Sequence, residues 1–74
     1  MDKNKFKVTI SNNEGYHLLH FCYNNLTEEQ KDKAFDNAIS NNQGAYLLNY
    51  CYSNLTEEQI KILTEEQIKI AKDN

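Results

Sequence analysis

The apolar and polar positions of the chain recur with a period of 29 residues, because segment 11–30 returns as segment 40–59 with fourteen of twenty positions identical. Within each copy, apolar residues recur at spacings of three and four, which is typical of one face of an α-helix. This stripe comprises Leu18, Leu19, Cys22 and Leu26 in the first copy and Leu47, Leu48, Cys51 and Leu55 in the second. The pattern predicts one helix with a buried face in each repeat, which we term helix A.

A second amphipathic helix, termed helix B, is predicted to follow helix A in each repeat. Thr27 and Gln30 have the spacing of a capping box, in which each of the two side chains accepts a hydrogen bond from a free backbone N–H of the first turn. The same box recurs at Thr56 and Gln59. The apolar face of the first helix B comprises Ala34, Phe35, Ala38 and Ile39. Acidic and lysine residues fill most other positions, which indicates a solvated opposite face.

Short polar residues mark the predicted ends of the A helices. Ser11 and Ser40, each followed three positions later by Glu or Gln, are predicted to cap their beginnings. Asn25 and Asn54 are predicted to end them, because asparagine tolerates the left-handed backbone conformation. Four helices are therefore expected, near residues 12–24, 28–39, 41–53 and 57–72.

The second helix B is predicted to continue without a break from residue 57 to about residue 72. Its sequence is doubled, since segment 55–62 is followed directly by the similar segment 63–70. A break at Thr64 would leave a first helix too short to be stable. The buried stripe of this helix is predicted to comprise Ile60, Leu63, Ile70 and Ala71, with Ile68 at its margin and Ile62 toward solvent.

The N-terminal segment fits two structures. Residues 5–10 alternate polar and apolar side chains and are rich in β-branched residues, which is typical of a strand. In the alignment of the repeats, however, Phe6 and Ile10 match apolar residues of the first helix B, and Asp2 is placed to cap a short helix over residues 2–10. We favour the helix slightly, since a lone strand would need a second copy of the chain as its partner.

Together these elements predict an all-α fold with a single domain over residues 1–74. A fixed period of this length is typical of stacked repeats, in which each unit buries its apolar face against the next. We expect two tandem 29-residue helical hairpins in a right-handed α-solenoid-like stack. Repeat 1 spans residues 11–39, repeat 2 with its extended helix spans 40–74, and residues 1–10 form an N-terminal cap or arm.

The hairpins resemble short helical-hairpin repeats of the HEAT-like kind. The segment 44–48 (Gly-Ala-Tyr-Leu-Leu), followed by Leu-Thr-Glu-Glu at 55–58, is similar to Ala-Tyr-rich repeats of phage and bacterial proteins. The resemblance covers about residues 11–62 and implies a helical-hairpin architecture. It carries no motif that implies a particular activity, cofactor or partner.

Composition and charge narrow the classes of function. The chain has a formal charge of -3 and no concentrated cluster of lysines, so direct nucleic-acid binding is not expected. A chain this short buries only a marginal core, which favours a protein partner or a homo-oligomer. No apolar run is long enough for a membrane span or a signal peptide. We expect an intracellular, cytoplasmic protein, located in the host cytoplasm if its source is viral.

No combination of residues predicts catalysis or metal binding, and we expect no enzyme activity, cofactor or metal. Cys22 and Cys51 lie on the core stripes of neighbouring helices, which are too far apart for a disulfide. His17 and His20 share a helix face, but the second repeat has neither histidine, and zinc normally needs four ligands or three and a water. His20 is expected to be a simple polar surface residue.

An aromatic line on the A helices is the strongest candidate for function. It comprises His17 and Phe21 in the first repeat and Tyr46 and Tyr50 in the second. Packing of the hairpins favours burial of most of this line, whereas an exposed outer part would supply binding anchors. The candidate partner-binding residues are His17, Phe21, Tyr46, Tyr50, Glu58 and Glu65, the two glutamates representing the charged face of the second helix B.

The function expected from these features is a non-enzymatic protein-protein binding module. Its size and acidic charge suit a phage or mobile-element inhibitor that occupies the surface of a host nucleoprotein, such as a CRISPR effector. The alternative is a self-associating structural or assembly subunit, a homodimer through helix B or residues 5–10. Recovery of one dominant partner with the chain would favour the first hypothesis, and recovery of the chain alone would favour the second.

Overall fold

Five α-helices are found in the computed structural model, which describes residues 1–73. They are α1 (Lys3–Ser11), α2 (Gly15–Phe21), α3 (Glu28–Ser40), α4 (Gly44–Tyr50) and α5 (Glu57–Asp73). The A helices are α2 and α4, and the B helices are α3 and α5. The described residues contain no strand, which confirms the all-α prediction. Asn74, the final residue of predicted repeat 2, lies outside the described residues.

The N-terminal segment is a helix, so the helical alternative is confirmed and the strand alternative is wrong. The Asp2 carboxylate accepts hydrogen bonds from the backbone N–H groups of Asn4 and Lys5, both at 3.0 Å. Phe6 is buried and Ile10 packs against the core. Residues four apart lie on one side of a helix. Both apolar residues can therefore face α2 and α3, the helices that α1 contacts.

The A helices begin later than predicted, at Gly15 and Gly44. Ser11 and Ser40, the predicted caps, are instead the last residues of α1 and α3. The Ser11 hydroxyl donates a hydrogen bond back to the carbonyl of Lys7 at 2.9 Å. A serine hydroxyl can accept from a free N–H at the start of a following helix or donate to the carbonyl four residues before it, and Ser11 does the second.

The A helices also end earlier than predicted, at Phe21 and Tyr50. Short 3-10 turns follow, at Tyr23–Asn25 and Tyr52–Asn54, and they contain the asparagines predicted to be left-handed. The left-handed residues are Asn13 and Asn42, with φ of 59° and 58°. Each lies in the turn between a B-type helix and the next A helix, where the backbone must reverse sharply and asparagine tolerates the conformation.

Both predicted capping boxes of the B helices are present. The Thr27 hydroxyl accepts from the backbone N–H of Gln30 at 3.1 Å, and the Gln30 side chain accepts from the backbone N–H of Thr27 at 3.0 Å. Thr56 and Gln59 form the same pair of bonds, at 3.1 and 3.0 Å. These boxes fix the beginnings of α3 and α5 at the predicted positions.

Helix α5 is a single helix of 17 residues that continues through Thr64, as predicted. The Thr64 hydroxyl donates to the carbonyl of Ile60 at 2.8 Å. Leu63 is fully buried and Ile70 half-buried, while Ile62 and Ile68 are exposed. Ala71, predicted to be buried, is exposed. Its partner helix α4 is only 7 residues long, about 10 Å, and cannot cover the whole of α5.

The core lies between the A and B helices. Helix α2 contacts α3, α4 and α1, and α4 contacts α3 and α5. Ten apolar residues are buried: Phe6, Leu18, Leu19, Leu26, Ala34, Phe35, Ala38, Leu47, Cys51 and Leu63. The predicted core stripes supply nearly all of them. No helix among residues 1–73 is long and apolar enough to cross a membrane.

A single asparagine holds the beginning of α2 in place. The Asn37 side-chain oxygen accepts from the backbone N–H of Gly15 at 3.0 Å, and its side-chain nitrogen donates to the carbonyl of Ile10 at 3.3 Å. A Cβ atom on Gly15 would lie 2.4 Å from the backbone oxygen of Ala34, so α2 and α3 approach too closely there for any larger residue. The Asn37 hydrogen bonds and the close contact at Gly15 thus hold the beginning of α2 against α3.

Candidate functional site

The two A helices lie in segments that carry no aspartate, glutamate, lysine or arginine. Segments 15–27 and 37–56 are free of these residues, and together they contain all five tyrosines of the chain. Because α2 contacts α4, the outer faces of these two segments lie side by side. In a chain with a formal charge of -3, the neighbouring helices α2 and α4 thus carry none of these charged side chains.

Six aromatic rings cluster on this face, and we call the cluster the aromatic patch. It comprises Tyr16, His17, His20 and Phe21 from α2, and Tyr46 and Tyr50 from α4. Phe21 is 70% exposed, Tyr50 61% and Tyr46 52%. Monomeric proteins rarely leave contiguous aromatic groups in water without a functional reason.

The rings of the aromatic patch hold each other in position across the two helices. Tyr16 and Tyr46 have ring centroids 5.4 Å apart, and His20 and Tyr50 have centroids 5.9 Å apart. His20 also stacks on Phe21 at 4.2 Å with only 11° between the ring planes. Such aromatic pairs contribute about 0.5–1.5 kcal/mol beyond the area they bury. These contacts join the rings of α2 and α4 into one surface.

Hydrogen-bonding groups are part of the patch. The Tyr16 hydroxyl lies 3.2 Å from Nδ1 of His20, one turn further along α2. Desolvation raises the pKa of Tyr16 above its ordinary value, and Cys51, Tyr50 and Tyr46 raise it further. Both effects favour the neutral hydroxyl over the phenolate. A surface of this kind offers neutral donors and acceptors beside apolar ring area.

The structure brings together four of the six predicted partner-binding residues. His17, Phe21, Tyr46 and Tyr50 are all exposed, so the interpretation that most of this line is buried is wrong. The A helices pack through their Leu and Cys stripes and leave the aromatic line outside. Glu58 and Glu65, the other two predicted residues, are also exposed, but they lie on α5, which contributes no ring to the patch.

Sequence reasoning missed Tyr16 and His20. His20 was expected to be a simple polar surface residue, yet it contacts Tyr16, Phe21 and Tyr50. Tyr16 and His20 are four residues apart, a spacing that places side chains together on a helix. That spacing was visible in the sequence. The sequence did not show that this pair would contact α4, because that contact depends on how α2 and α4 pack.

The cysteines differ from each other although their positions in the repeats are equivalent. Cys51 is buried and Cys22 half-buried, and both are free thiols. Burial raises the pKa of the Cys51 thiol, which disfavours the reactive thiolate. Over residues 1–73, no group of three His, Cys, Asp or Glu side chains could hold a metal ion.

Comparisons of the chain with protein-family models, with curated proteins and with solved structures found no match.

Proposed function

We propose that this chain is a non-enzymatic protein-binding module and that the aromatic patch is its contact surface. The observation that carries the proposal is a contiguous group of six rings, four of them exposed, on two helices without aspartate, glutamate, lysine or arginine in an otherwise highly charged small chain. The cores of protein interfaces are depleted in charged residues and enriched in tyrosine and phenylalanine. The patch has this composition.

The expected ligand of the aromatic patch is the surface of another protein and not a nucleic acid. Binding of single-stranded nucleic acid combines stacking rings with a positively charged groove. The aromatic patch supplies rings, but its two segments contain no lysine or arginine to neutralise phosphates. The partner surface is expected to be uncharged where it contacts the patch. A charged residue of the partner would be buried there without an opposite charge, which is costly.

The packing of the two hairpins is the second part of the proposal. We propose that the two hairpins form a right-handed α-solenoid-like stack, akin to short HEAT-like repeats, in which the A helices present the contact face. In support, the same turn precedes both A helices: the N–H of Glu14 bonds to the carbonyl of Thr9 at 3.2 Å, and that of Gln43 to the carbonyl of Ala38 at 2.9 Å. The narrower hypothesis of a phage-type inhibitor of a host nucleoprotein is one case of this function.

Photo-crosslinking from the patch tests the proposal directly. A benzophenone amino acid replaces Phe21, which is 70% exposed, and in a control protein it replaces Ile62, which is 42% exposed on α5. We expect covalent protein adducts from position 21 in cells of the source organism and none of the same mass from position 62. Equal adducts from both positions would show that the patch is not the contact surface.

Truncation of single rings measures how much each contributes. Tyr50→Ala is expected to weaken capture of the crosslinked partner by about 2 kcal/mol or more, the scale of an interface hot spot. Because Tyr50 is 61% exposed and contacts only the rings of Tyr16 and His20 in the patch, Tyr50→Ala should lower the melting temperature of the protein less than loss of a core residue does. Leu48→Ala is the control, since this half-buried core residue should lower the melting temperature. A Tyr50→Ala protein that unfolds as readily as Leu48→Ala would exclude the patch as a site.

A further inference from the structure

His20 contacts three other rings of the aromatic patch. Phe21 and Tyr50 lie nearly parallel to its ring, with centroids 4.2 and 5.9 Å away and only 11° and 22° between the planes. The Nδ1 atom of His20 lies 3.2 Å from the Tyr16 hydroxyl, within hydrogen-bond distance. The stacked rings and this hydrogen bond together restrict the orientation of the imidazole.

The pair of Tyr16 and His20 has no equivalent in the second repeat. Ala45 and Asn49 occupy the corresponding positions, 29 residues later. Helix α4 nevertheless has the same length as α2, and each is followed by a 3-10 turn. The hairpin architecture therefore does not require the pair, which favours a role for it at the surface of the patch.

The hydrogen bond between Tyr16 and His20 has a preferred direction. A tyrosine hydroxyl can donate or accept, and a neutral imidazole has one donor and one acceptor nitrogen. The unprotonated imidazole nitrogen is a strong acceptor, whereas a phenol oxygen is a weak one because its lone pair is delocalised into the ring. Desolvation raises the pKa of Tyr16, which favours retention of the proton on its oxygen. The favoured arrangement is therefore donation from the Tyr16 hydroxyl to Nδ1 of His20.

This direction determines which nitrogen of His20 carries the hydrogen. In a neutral histidine, the hydrogen bond made by one ring nitrogen sets the state of the other. Because Nδ1 accepts, Nε2 is the protonated atom. The two nitrogens of a five-membered ring point in widely different directions, so the Nε2–H group points away from Tyr16.

The Nε2 atom of His20 is accessible to solvent. Among residues 1–73, Tyr16 is the only hydrogen-bond partner of the His20 side chain. Among the half-buried and buried side chains of the same residues, Oε1 of Gln43 is the only inaccessible nitrogen or oxygen atom without a partner. His20 is half-buried, so its unpartnered Nε2 atom must reach the surface.

We infer that His20 presents its Nε2–H group as a directed hydrogen-bond donor in the aromatic patch, and that the partner protein places a neutral acceptor, such as a backbone carbonyl oxygen, against it. The inference rests on the proposed function, because it takes the patch as the contact surface. A donor that a partner buries without an acceptor loses its hydrogen bond to water, which lowers affinity roughly 5- to 150-fold. A neutral oxygen fits better than a carboxylate, since the patch offers no opposite charge. Tyr16 is a positioning residue, because it acts through His20.

NMR spectroscopy of the histidine ring nitrogens in the full chain tests the donor without any partner. At about pH 8 an ordinary histidine is neutral, and proton–nitrogen correlation spectra distinguish its protonated nitrogen from the other. We expect a protonated Nε2 and an unprotonated Nδ1 in His20. Tyr16→Phe keeps the ring and removes the hydroxyl, so it should change the ratio of the two His20 tautomers about threefold or more. His17 is the internal control: its contacts in the patch are ring contacts, so its ratio should not change.

Substitution of His20 tests the acceptor, with the protein crosslinked from position 21 as the probe. His20→Phe keeps a flat ring beside Phe21 and Tyr50 but removes the donor, and it should weaken capture of that protein about tenfold. His20→Gln should restore most of this loss, because its amide nitrogen can donate from near the position of Nε2.

Each contrary result has a distinct meaning. A proton on Nδ1 of His20, or a tautomer ratio that Tyr16→Phe leaves unchanged, would overturn the assigned donor, and the proposed function would stand. Capture of the crosslinked protein by His20→Phe at the strength of the wild type would overturn the acceptor on the partner. Equal crosslinking from positions 21 and 62 would remove the proposed function, and the partner's acceptor with it, without changing the tautomer of His20 in the free chain.

Discussion

The two hairpins have the same leucines and cysteines but not the same surroundings. Leu19 is buried whereas its equivalent Leu48 is half-buried, and Cys51 is buried whereas its equivalent Cys22 is half-buried. The hairpins also differ in their contacts: the first contacts both α1 and α4, whereas in the second α4 contacts α2, α3 and the long α5 of its own hairpin. Sequence identity between repeats therefore predicts the elements, while the neighbours of each residue in the fold decide how much it stabilises the protein.

The largest expected difference between the hairpins concerns equivalent leucines. Leu19→Ala removes a side chain that is 4% exposed and should lower the free energy of unfolding by about 2–5 kcal/mol, through lost burial and a residual cavity. Leu48→Ala removes one that is only partly buried and should lower it by less. Urea denaturation of both variants measures the two values. Equal losses would mean that the hairpins are equally covered in solution.

Equivalent glycines give the next contrast. A Cβ atom on Gly15 would lie 2.4 Å from the backbone oxygen of Ala34, so Gly15→Ala forces α2 away from α3 and should destabilise by about 1–3 kcal/mol. A Cβ atom on Gly44 would meet the side-chain end of Gln67 at 2.9 Å and Leu63 Cδ2 at 3.2 Å. The Gln67 amide ends a flexible side chain and can move, whereas the buried Leu63 need give only a few tenths of an ångström. Alanine also has a higher helix propensity than glycine, which offsets part of this cost.

Gly44→Ala should therefore remain within about 1 kcal/mol of the wild type. Thermal unfolding followed by circular dichroism at 222 nm compares the two variants. A Gly44→Ala protein that is as unstable as Gly15→Ala would show that α5 presses on α4 as rigidly as α3 presses on α2.

The beginnings of the B helices could be predicted from the sequence, whereas the ends of the A helices could not. The B helices were predictable because Thr27 and Gln30 satisfy each other within one turn, a local relation that depends on nothing distant. Continuity of α5 through Thr64 was predictable because a break there would leave a first helix too short to be stable. The ends of the A helices were not, because a serine such as Ser11 can bond forward to a helix start or back to the Lys7 carbonyl.

The aromatic patch was predictable only in part. Periodicity separated the aromatic line from the leucine stripe, but whether the line lay between hairpins or outside depended on the angle at which the A helices pack. Tyr16 and His20 joined the patch because α2 presents them to Tyr46 and Tyr50. A contact between side chains 30 residues apart, as between Tyr16 and Tyr46, leaves no local mark in the sequence.

A smaller contrast is expected at the capping boxes. Gln30 is 8% exposed and, besides its bond to Thr27, donates to the carbonyl of Met1 at 2.9 Å. Gln59 holds the equivalent box at the partly exposed start of α5. Gln30→Ala should cost about 1–2 kcal/mol, because it leaves buried polar groups unpaired, and Gln59→Ala about 0.5 kcal/mol. Chemical denaturation measures both losses of stability. A larger loss for Gln59→Ala than for Gln30→Ala would contradict the role of the buried Gln30 side chain in linking Met1 to the start of α3.

The last contrast concerns the rate of thiol modification. Cys51 is 1% exposed, and burial raises its pKa, so both access and the thiolate fraction are reduced at pH 8. Cys22 is half-buried and should be labelled first by iodoacetamide under native conditions. Separate Cys22→Ala and Cys51→Ala proteins report each thiol alone, and labelling in urea should make their rates equal. If Cys51 reacts as fast as Cys22 without denaturant, the second hairpin opens far more often than its burial implies, and the contact between α2 and α4 that orders the aromatic patch is transient.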